Sequence, residues 1–261
     1  MYFYKLVVAY DGTSYFGWQW QPHVPTIEAV FKNIITGLFK QKKFYFLASS
    51  RTDSGVHAHG QVARLGMALQ FEPSKLLYIF NQVLPVGITV RAVESVDGNF
   101  NPQKNVQHKI YTYSLFEKRP LPEYERYAWA VNASIDEERL QTILDAFIGT
   151  HDFRLYAKEP GEKKTIRSID SITVVRDQTT GKISITVQGK SFLHLMIRRI
   201  VGAAVALCLD TSRDYKHVVQ ATLVQGVQDF NLMKNLPTAP PHGLCLELIM
   251  YSLKVTHEQC S

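Results

Sequence analysis

Hydrophobic and polar positions alternate along some stretches of the chain and recur at helical spacing along others. Tyr2 to Tyr10 is rich in aromatic and β-branched residues and stops at the turn signal Asp11-Gly12, so it predicts a strand. Thr26 then opens a helix. Ile27, Val30, Phe31, Ile34 and Leu38 follow the i, i+3, i+4, i+7 spacing of one face, and Glu28 complements the helix dipole in the first turn. Phe44 to Ser49 reads as a strand, Ser50 to Gly55 as a polar loop, and Gln61 to Leu65 as the strand that resumes after it. Glu72-Pro73 starts a short helix ending near Leu84-Pro85, and Ile88 to Val96 predicts a further strand.

The pattern then recurs. His108 to Phe116 alternates Ile110, Thr112 and Ser114 against Tyr111, Tyr113 and Leu115. A proline-rich connection, Arg119 to Pro122, leads to a helix capped by Ser134 with Leu140, Ile143, Leu144 and Phe147 on its apolar face. Strand, long connection and amphipathic helix thus occur twice. This predicts an α/β (α+β) chain of two similar halves, 1–103 and 104–261, with the boundary between Gly98 and Asn105. A single α+β domain with two similar segments is the alternative. Further on, Ile169 to Val175 and Ile183 to Val187 form a hairpin pattern across Asp177 to Lys182. Phe192 to Leu209 and Asp214 to Val224 read as helices, and Gly243 to Leu253 as a final strand.

Composition narrows the class. With 46% hydrophobic and 20% charged residues, the chain is neither disordered, collagen-like nor a disulfide-stapled mini-protein. Cys208, Cys245 and Cys260 are far apart, odd in number and form no CxxC, so the spacing suggests neither a zinc site nor a disulfide framework and fits a reducing compartment. The longest apolar run, Ile200 to Leu209, is half of the roughly 20 residues that a membrane-crossing helix needs. The first ten residues have no basic leader and no small-residue cleavage site, unlike a signal peptide. Lys and Arg total 29 against 23 Asp and Glu, a net charge of +6 that is compatible with a nucleic-acid partner and does not require one.

Candidate chemistry begins with a conflict in the helix from Phe192. It is apolar all round, as a buried helix is, yet carries Arg198 and Arg199 at its middle. A buried guanidinium calls for a carboxylate or phosphate; the alternative is that both arginines reach water. His194 and Arg198 share a face, while Arg199 points about 100° away. The obvious carboxylate is Asp53, between Arg51 and Gly55 in a loop joining two strands, where a rigid sheet can hold a nucleophile or base. Positive charge beside it favours its charged form. Asp-Ser-Gly is equally ordinary turn chemistry. His57 and His59 would need ligands from elsewhere to hold a metal, and read as surface or structural histidines. Tyr111 and Tyr113 share a strand face that serves either packing or base stacking. P-loop, GxGxxG and GxSxG motifs are absent from the sequence.

Several longer motifs are more specific. Tyr10-Asp-Gly-Thr-Ser-Tyr-Phe-Gly-Trp-Gln19 resembles the opening YDGTxYxGWQ motif of the TruA-type tRNA pseudouridine synthases. Ser50-Arg-Thr-Asp-Ser-Gly-Val-His-Ala58 resembles their GRTDAGVHA motif, and Lys109-Ile-Tyr-Thr-Tyr113 their (K/R)xYxY strand. Gly149-Thr-His-Asp-Phe153, Thr165-Ile-Arg-Ser168, Phe192 to Gly202 and Pro241-His-Gly-Leu244 are similar to further motifs in the same order. The likeness runs from residue 2 to about residue 253. Ser50 and Ser54 stand where the family usually has Gly and Ala, Gln103 where an arginine is common, and Tyr156 where phenylalanine is frequent.

The resemblance implies two α/β halves whose antiparallel strands merge into one central sheet, with the active site in the cleft between them. It implies a tRNA pseudouridine synthase acting at uridines 38, 39 and 40 of the anticodon arm, as a cytoplasmic homodimer and with no cofactor or metal. A non-catalytic tRNA-binding or tRNA-folding protein on the same scaffold is the alternative. The family's nucleophilic aspartate falls on Asp53, its adjacent arginine on Arg51, its stacking tyrosine, a candidate for removing the C5 proton, on Tyr111, and the arginine that pairs with the aspartate on Arg198. Arg51, Tyr111, His57 and Lys109 are the expected substrate contacts. Basic segments at Lys40 to Lys43, Lys104 to Lys109 and Arg154 to Arg167 are candidates for phosphate contacts.

Overall fold

The computed structural model describes residues 1–104, 106–158, 164–224, 229–234 and 236–252. Asn105 at the expected boundary, Glu159, Glu162 and Lys163 of the basic stretch, Leu253 and Cys260 lie outside these residues.

The elements run β1 (Tyr2–Tyr10), α1 (Ile27–Gly37), β2 (Tyr45–Ala48), β3 (His57–Met67), α2 (Pro73–Val83), β4 (Ile88–Ser95), β5 (Val106–Phe116), α3 (Pro122–Glu125), β6 (Trp129–Ala130), α4 (Glu137–Asp145), β7 (Gly149–Asp152), β8 (Ile166–Arg176), β9 (Ile183–Gly189), α5 (Met196–Leu209), α6 (Tyr215–Thr222) and β10 (Leu244–Tyr251), with short 3₁₀ turns near residues 154, 230 and 241. The strands form one sheet in the order β4-β1-β3-β10-β5-β9-β8-β7, with β2 beside β3 and β6 beside β5. Two pairings are parallel, β10 with β3 and β5 with β6; the others are antiparallel. Strands from residues 2–95 thus occupy one end and strands from residue 106 onward the other, and β10 is inserted between them.

One face of the sheet carries the core. Tyr4, Leu6, Val8 and Tyr10 of β1 are buried while the residues between them are half-buried, as in an antiparallel sheet packed on one side. At one end, Phe31 of α1 stacks on Trp18 and Phe46 and tilts against Phe80 of α2 at 5.5 Å. At the other, Leu140, Ile143 and Leu144 of α4 are buried with Ile200, Val201, Ala203 and Ala204 of α5 against Ile183, Ile185 and Val187 of β9. No described helix is long and apolar enough to cross a membrane.

Most predicted elements lie where the pattern put them, and the differences have local causes. The helix expected from Phe192 begins at Met196, because Leu195 adopts a left-handed backbone, φ +65°, that no helix continues through. Asp136, not Ser134, caps α4: its carboxylate accepts the Arg139 amide at 3.0 Å, while the Ser134 hydroxyl donates to Glu117. The strand expected over 61–65 extends from His57 to Met67, its added residues paired with β1 and β2.

Gly202 lets α5 touch the segment before β10. A Cβ there would lie 2.0 Å from the Pro237 carbonyl oxygen and 2.8 Å from the Ala239 nitrogen. We expect Gly202→Ala to lose about 1–3 kcal/mol of stability by urea unfolding. Gly37→Ala, which meets nothing within 4 Å, is the matched control and should lose none. Equal stability of the two variants would mean that the 237–239 segment yields freely.

Candidate active site

The loop from Ser49 to Val56 joins β2 to β3 and is clamped by its neighbours. Tyr10 and Thr52 share a 2.7 Å hydroxyl hydrogen bond, the Trp18 amide donates to the Thr52 carbonyl, and the Gly55 amide donates to the Tyr15 carbonyl. Gly17 needs to be glycine twice over: its φ is +83°, and a Cβ would lie 2.5 Å from the Thr52 carbonyl oxygen. Gly55, at φ +77°, turns the chain back beside Pro241. Buried Gln61 completes the clamp: its amide donates to the Ser50 carbonyl at 2.8 Å and its oxygen accepts the Ser50 and Val62 amides.

Held in this way, Asp53 presents its carboxylate to Arg198 in the first turn of α5 and to His194 just before that helix. Arg198 Nη1 lies 3.4 Å from Oδ2, and His194 Nε2 lies 3.3 Å from Oδ1. Arg198 is itself fixed: its Nε donates to the Ala239 carbonyl at 2.8 Å, and the Ala239 amide donates back to the Arg198 carbonyl at 3.0 Å. Arg199 turns elsewhere and donates to the carbonyls of Leu155 and Ala157. The two arginines thus solve their burial differently, one with a carboxylate and one with backbone carbonyls. His194 was assigned no role from sequence. Its four-residue spacing from Arg198 was the signal, although the left-handed Leu195 interrupts the helix between them.

Tyr111 of β5 is buried beside the same loop. Its hydroxyl shares a 2.8 Å hydrogen bond with Ser50 Oγ, and Phe192 meets its ring edge-on at 5.4 Å. Burial, and secondarily the Asp53 charge, push its phenol up to about 12 against the opposing Ser50 hydrogen bond, so it is neutral at physiological pH. Lys109, two residues earlier, donates to the Ser49 carbonyl at 2.9 Å and to Ser50 Oγ at 3.3 Å. Tyr113, one turn of the pleat further on, donates to the Pro240 carbonyl and so holds the segment that carries Ala239.

The expected site residues therefore fall into two groups. Asp53, Arg198, Tyr111 and Lys109 converge around the Ser49–Val56 loop. Arg51 is exposed beside them and forms no ion pair among the described residues. His57 is engaged within the protein: Nδ1 accepts the Gly12 amide at 3.1 Å, which places the proton on Nε2, 3.1 Å from the Arg126 carbonyl. Burial holds this imidazole below its ordinary range, so the 3.2 Å approach of Asp11 is not an ion pair. Of the basic segments, Lys109 faces inward and Arg167 donates to the carbonyls of Lys164 and Ile166. Gln103 donates to the Ala48 carbonyl at the end of β2.

Burial pulls the Lys109 amine from an ordinary 10.5 down to about 8. The unfolded chain binds this proton more tightly than the folded one, so the group's contribution to stability is fully present above pH 10.5 and is lost as pH falls through 8. Lys109→Met should flatten that part of the stability profile, measured by urea unfolding from neutral to alkaline pH. A profile identical to that of the parent would mean the amine is not desolvated.

The family model described as tRNA pseudouridine synthase matches residues 6–102 and 143–252 of the chain. The tRNA pseudouridine synthase A of Aquifex aeolicus is 33% identical, over 95% of this chain and 98% of its own length. The tRNA pseudouridine synthase A 1 of Protochlamydia amoebophila is 32% identical over 96% and 97%, and the tRNA pseudouridine synthase A of Thermosipho africanus 31% identical over 95% and 99%. The matched segments include the Asp53 loop and α5, and on matches of this extent the chain belongs to the tRNA pseudouridine synthase family.

Proposed function

We propose that the protein converts uridine to pseudouridine in the anticodon arm of tRNA, at positions 38 to 40, with Asp53 as the nucleophile. The observation that carries this reading is the contact of Asp53 with Arg198 in a loop clamped from three sides. A surface turn has no use for a guanidinium brought from 145 residues away. A reacting carboxylate does, because the adjacent cation favours its charged form and the fixed pair needs no rearrangement during reaction.

In the reaction the N1–C1′ bond of the nucleotide breaks, the uracil turns, and C5 bonds to C1′. The C5 proton then leaves and N1, freed from the sugar, takes up a proton, so the product is an isomer of the substrate. The atoms balance without redox or group transfer, so the step calls for no cofactor. Attack of Asp53 at C1′, attack at C6, and removal of the C2′ proton are all compatible with a charged carboxylate in this position. His194, at the other carboxylate oxygen, restricts its orientation.

A stacked uridine is out of reach, so the target nucleotide must be flipped out, at a cost of a few kcal/mol. Stacking on Tyr111 offsets part of that cost. The phenol is neutral and hydrogen-bonded to Ser50, so its first role is stacking; it accepts the C5 proton only in a form that has already lost its own. Arg51 is exposed and free for the RNA backbone, and the Lys40 to Lys43 segment extends the phosphate surface. Lys109 and His57 act indirectly, by holding Ser49, Ser50 and Gly12. A cytoplasmic homodimer, as in the resemblance, and division at residues 103 and 104 complete the reading.

Release of tritium from tRNA labelled at uridine C5 tests it. Asp53→Ala should bind tRNA with unchanged affinity and lose release by about 10³-fold or more. Substantial release by this variant would sink the role of Asp53 and favour a non-catalytic tRNA-binding protein with a contaminating activity. Arg198→Met should lower turnover by roughly 10²-fold with tRNA binding retained. Parental turnover would show that Asp53 does not depend on the guanidinium.

A further inference from the structure

The parallel seam between β3 and β10 sets Cys245 opposite His57 and Leu246 opposite Ala58. Paired residues share a face of a sheet, and so do residues two apart on one strand. His59 and Cys245 therefore project from the face that also bears Thr112, the β5 partner of Cys245, while Leu244 and Leu246 point into the core. Glu247 is the extra residue where the β10–β5 register slips between Leu246 and Leu248, a bulge of the kind that re-aims a side chain. His59 Nδ1 lies 2.7 Å from Glu247 Oε2, and a ligand atom from each of His59, Cys245 and Glu247 falls within 4.8 Å of the others. All three line a groove of about 440 Å³ shared with Thr112, Ser114, Tyr127 and Lys182.

We infer that His59, Cys245 and Glu247 form a binding site for one zinc-class divalent ion that staples the seam between the two ends of the sheet. Imidazole nitrogen, thiolate sulfur and carboxylate oxygen are the donor set of zinc, whereas magnesium and calcium take oxygen and avoid sulfur. The thiolate and carboxylate neutralise the ion, and the thiol proton leaves to solvent as the zinc–sulfur bond forms. Zinc bonds of about 2.0–2.3 Å hold tetrahedral ligand atoms roughly 3.3–3.7 Å apart, so separations of up to 4.8 Å close by about an ångström, while His59 and Glu247, now 2.7 Å apart, open by roughly half an ångström and exchange their hydrogen bond for bonds to the ion. His59, 63% exposed at its side chain, is free to make that movement and leaves room for water at the fourth position. Asp53 and Tyr111 lie with the opposite face, so the ion has no part in the reaction. It ties β3, which continues the Asp53 loop, to β10.

The test uses the full chain. Zinc titration against a chromophoric chelator should give one site per chain, and cobalt in its place should give a thiolate charge-transfer band. Cys245→Ser should abolish that band and weaken zinc binding by more than the roughly 10–100-fold that outer partners of a metal site cost. Glu247→Gln and His59→Asn should weaken zinc while keeping the band, and Cys208→Ser should change nothing. Added zinc should raise the Tm of the parent chain and leave that of Cys245→Ser unmoved. No binding at micromolar zinc, or equal binding by the parent and Cys245→Ser, overturns the inference.

Discussion

A carboxylate held in a cleft needs a compensating charge, and the Asp53–Arg198 contact is the constraint around which much of this molecule is arranged. One guanidinium ties three pieces of chain together. Its own helix positions it, its Nε and backbone carbonyl are tied to Ala239, and its Nη1 faces the loop before β3. The Ala239 segment in turn is held by Tyr113 and pressed against Gly202. Removing one partner of such a pair leaves the other uncompensated, and here each piece that carries a partner is also tied by hydrogen bonds of its own.

The sheet divides the work. Odd-numbered residues of β5 from Tyr111 to Leu115 build the core and the reaction cleft, while Thr112 and Ser114 open onto the groove of the other face. The same alternation on β10 sends Leu244 and Leu246 inward and Cys245 outward. Chemistry that depends on a buried phenol and chemistry that depends on a half-exposed thiol are thereby separated by the thickness of one strand.

What could be read from sequence followed local rules. The α1 face and the Thr26 cap are legible because spacing and capping depend only on neighbours a few residues away. The buried character of α5 was legible for the same reason. Its arginines were not resolved by it: helix geometry left Arg198 and Arg199 equivalent, and the motif likeness alone singled out Arg198. Backbone carbonyls as the partners of Arg199 were not among the partners considered, since no local pattern announces that Leu155 and Ala157 will turn theirs toward it. The spacing puts His194 on the face of Arg198, but its contact with Asp53 is not legible, because its reach depends on a left-handed Leu195, a conformation that nothing in a leucine predicts. The companions of His59 were illegible because they lie across a parallel pairing of strands far apart in the chain.

The place of β10 in the sheet has a consequence for how the molecule comes into being. It is the last described strand in chain order and it is inserted at the middle, between β3 and β5. A nascent chain that has not yet reached Leu244 can pair β1, β3 and β4 on one side and β5, β8 and β9 on the other, with no strand pairing to join them. Contacts of such long sequence separation form late, because the loop entropy must be met before they contribute. The cleft is therefore finished only once β10 has been made, and a chain interrupted before Leu244 holds Asp53 and Tyr111 on separate pieces of sheet.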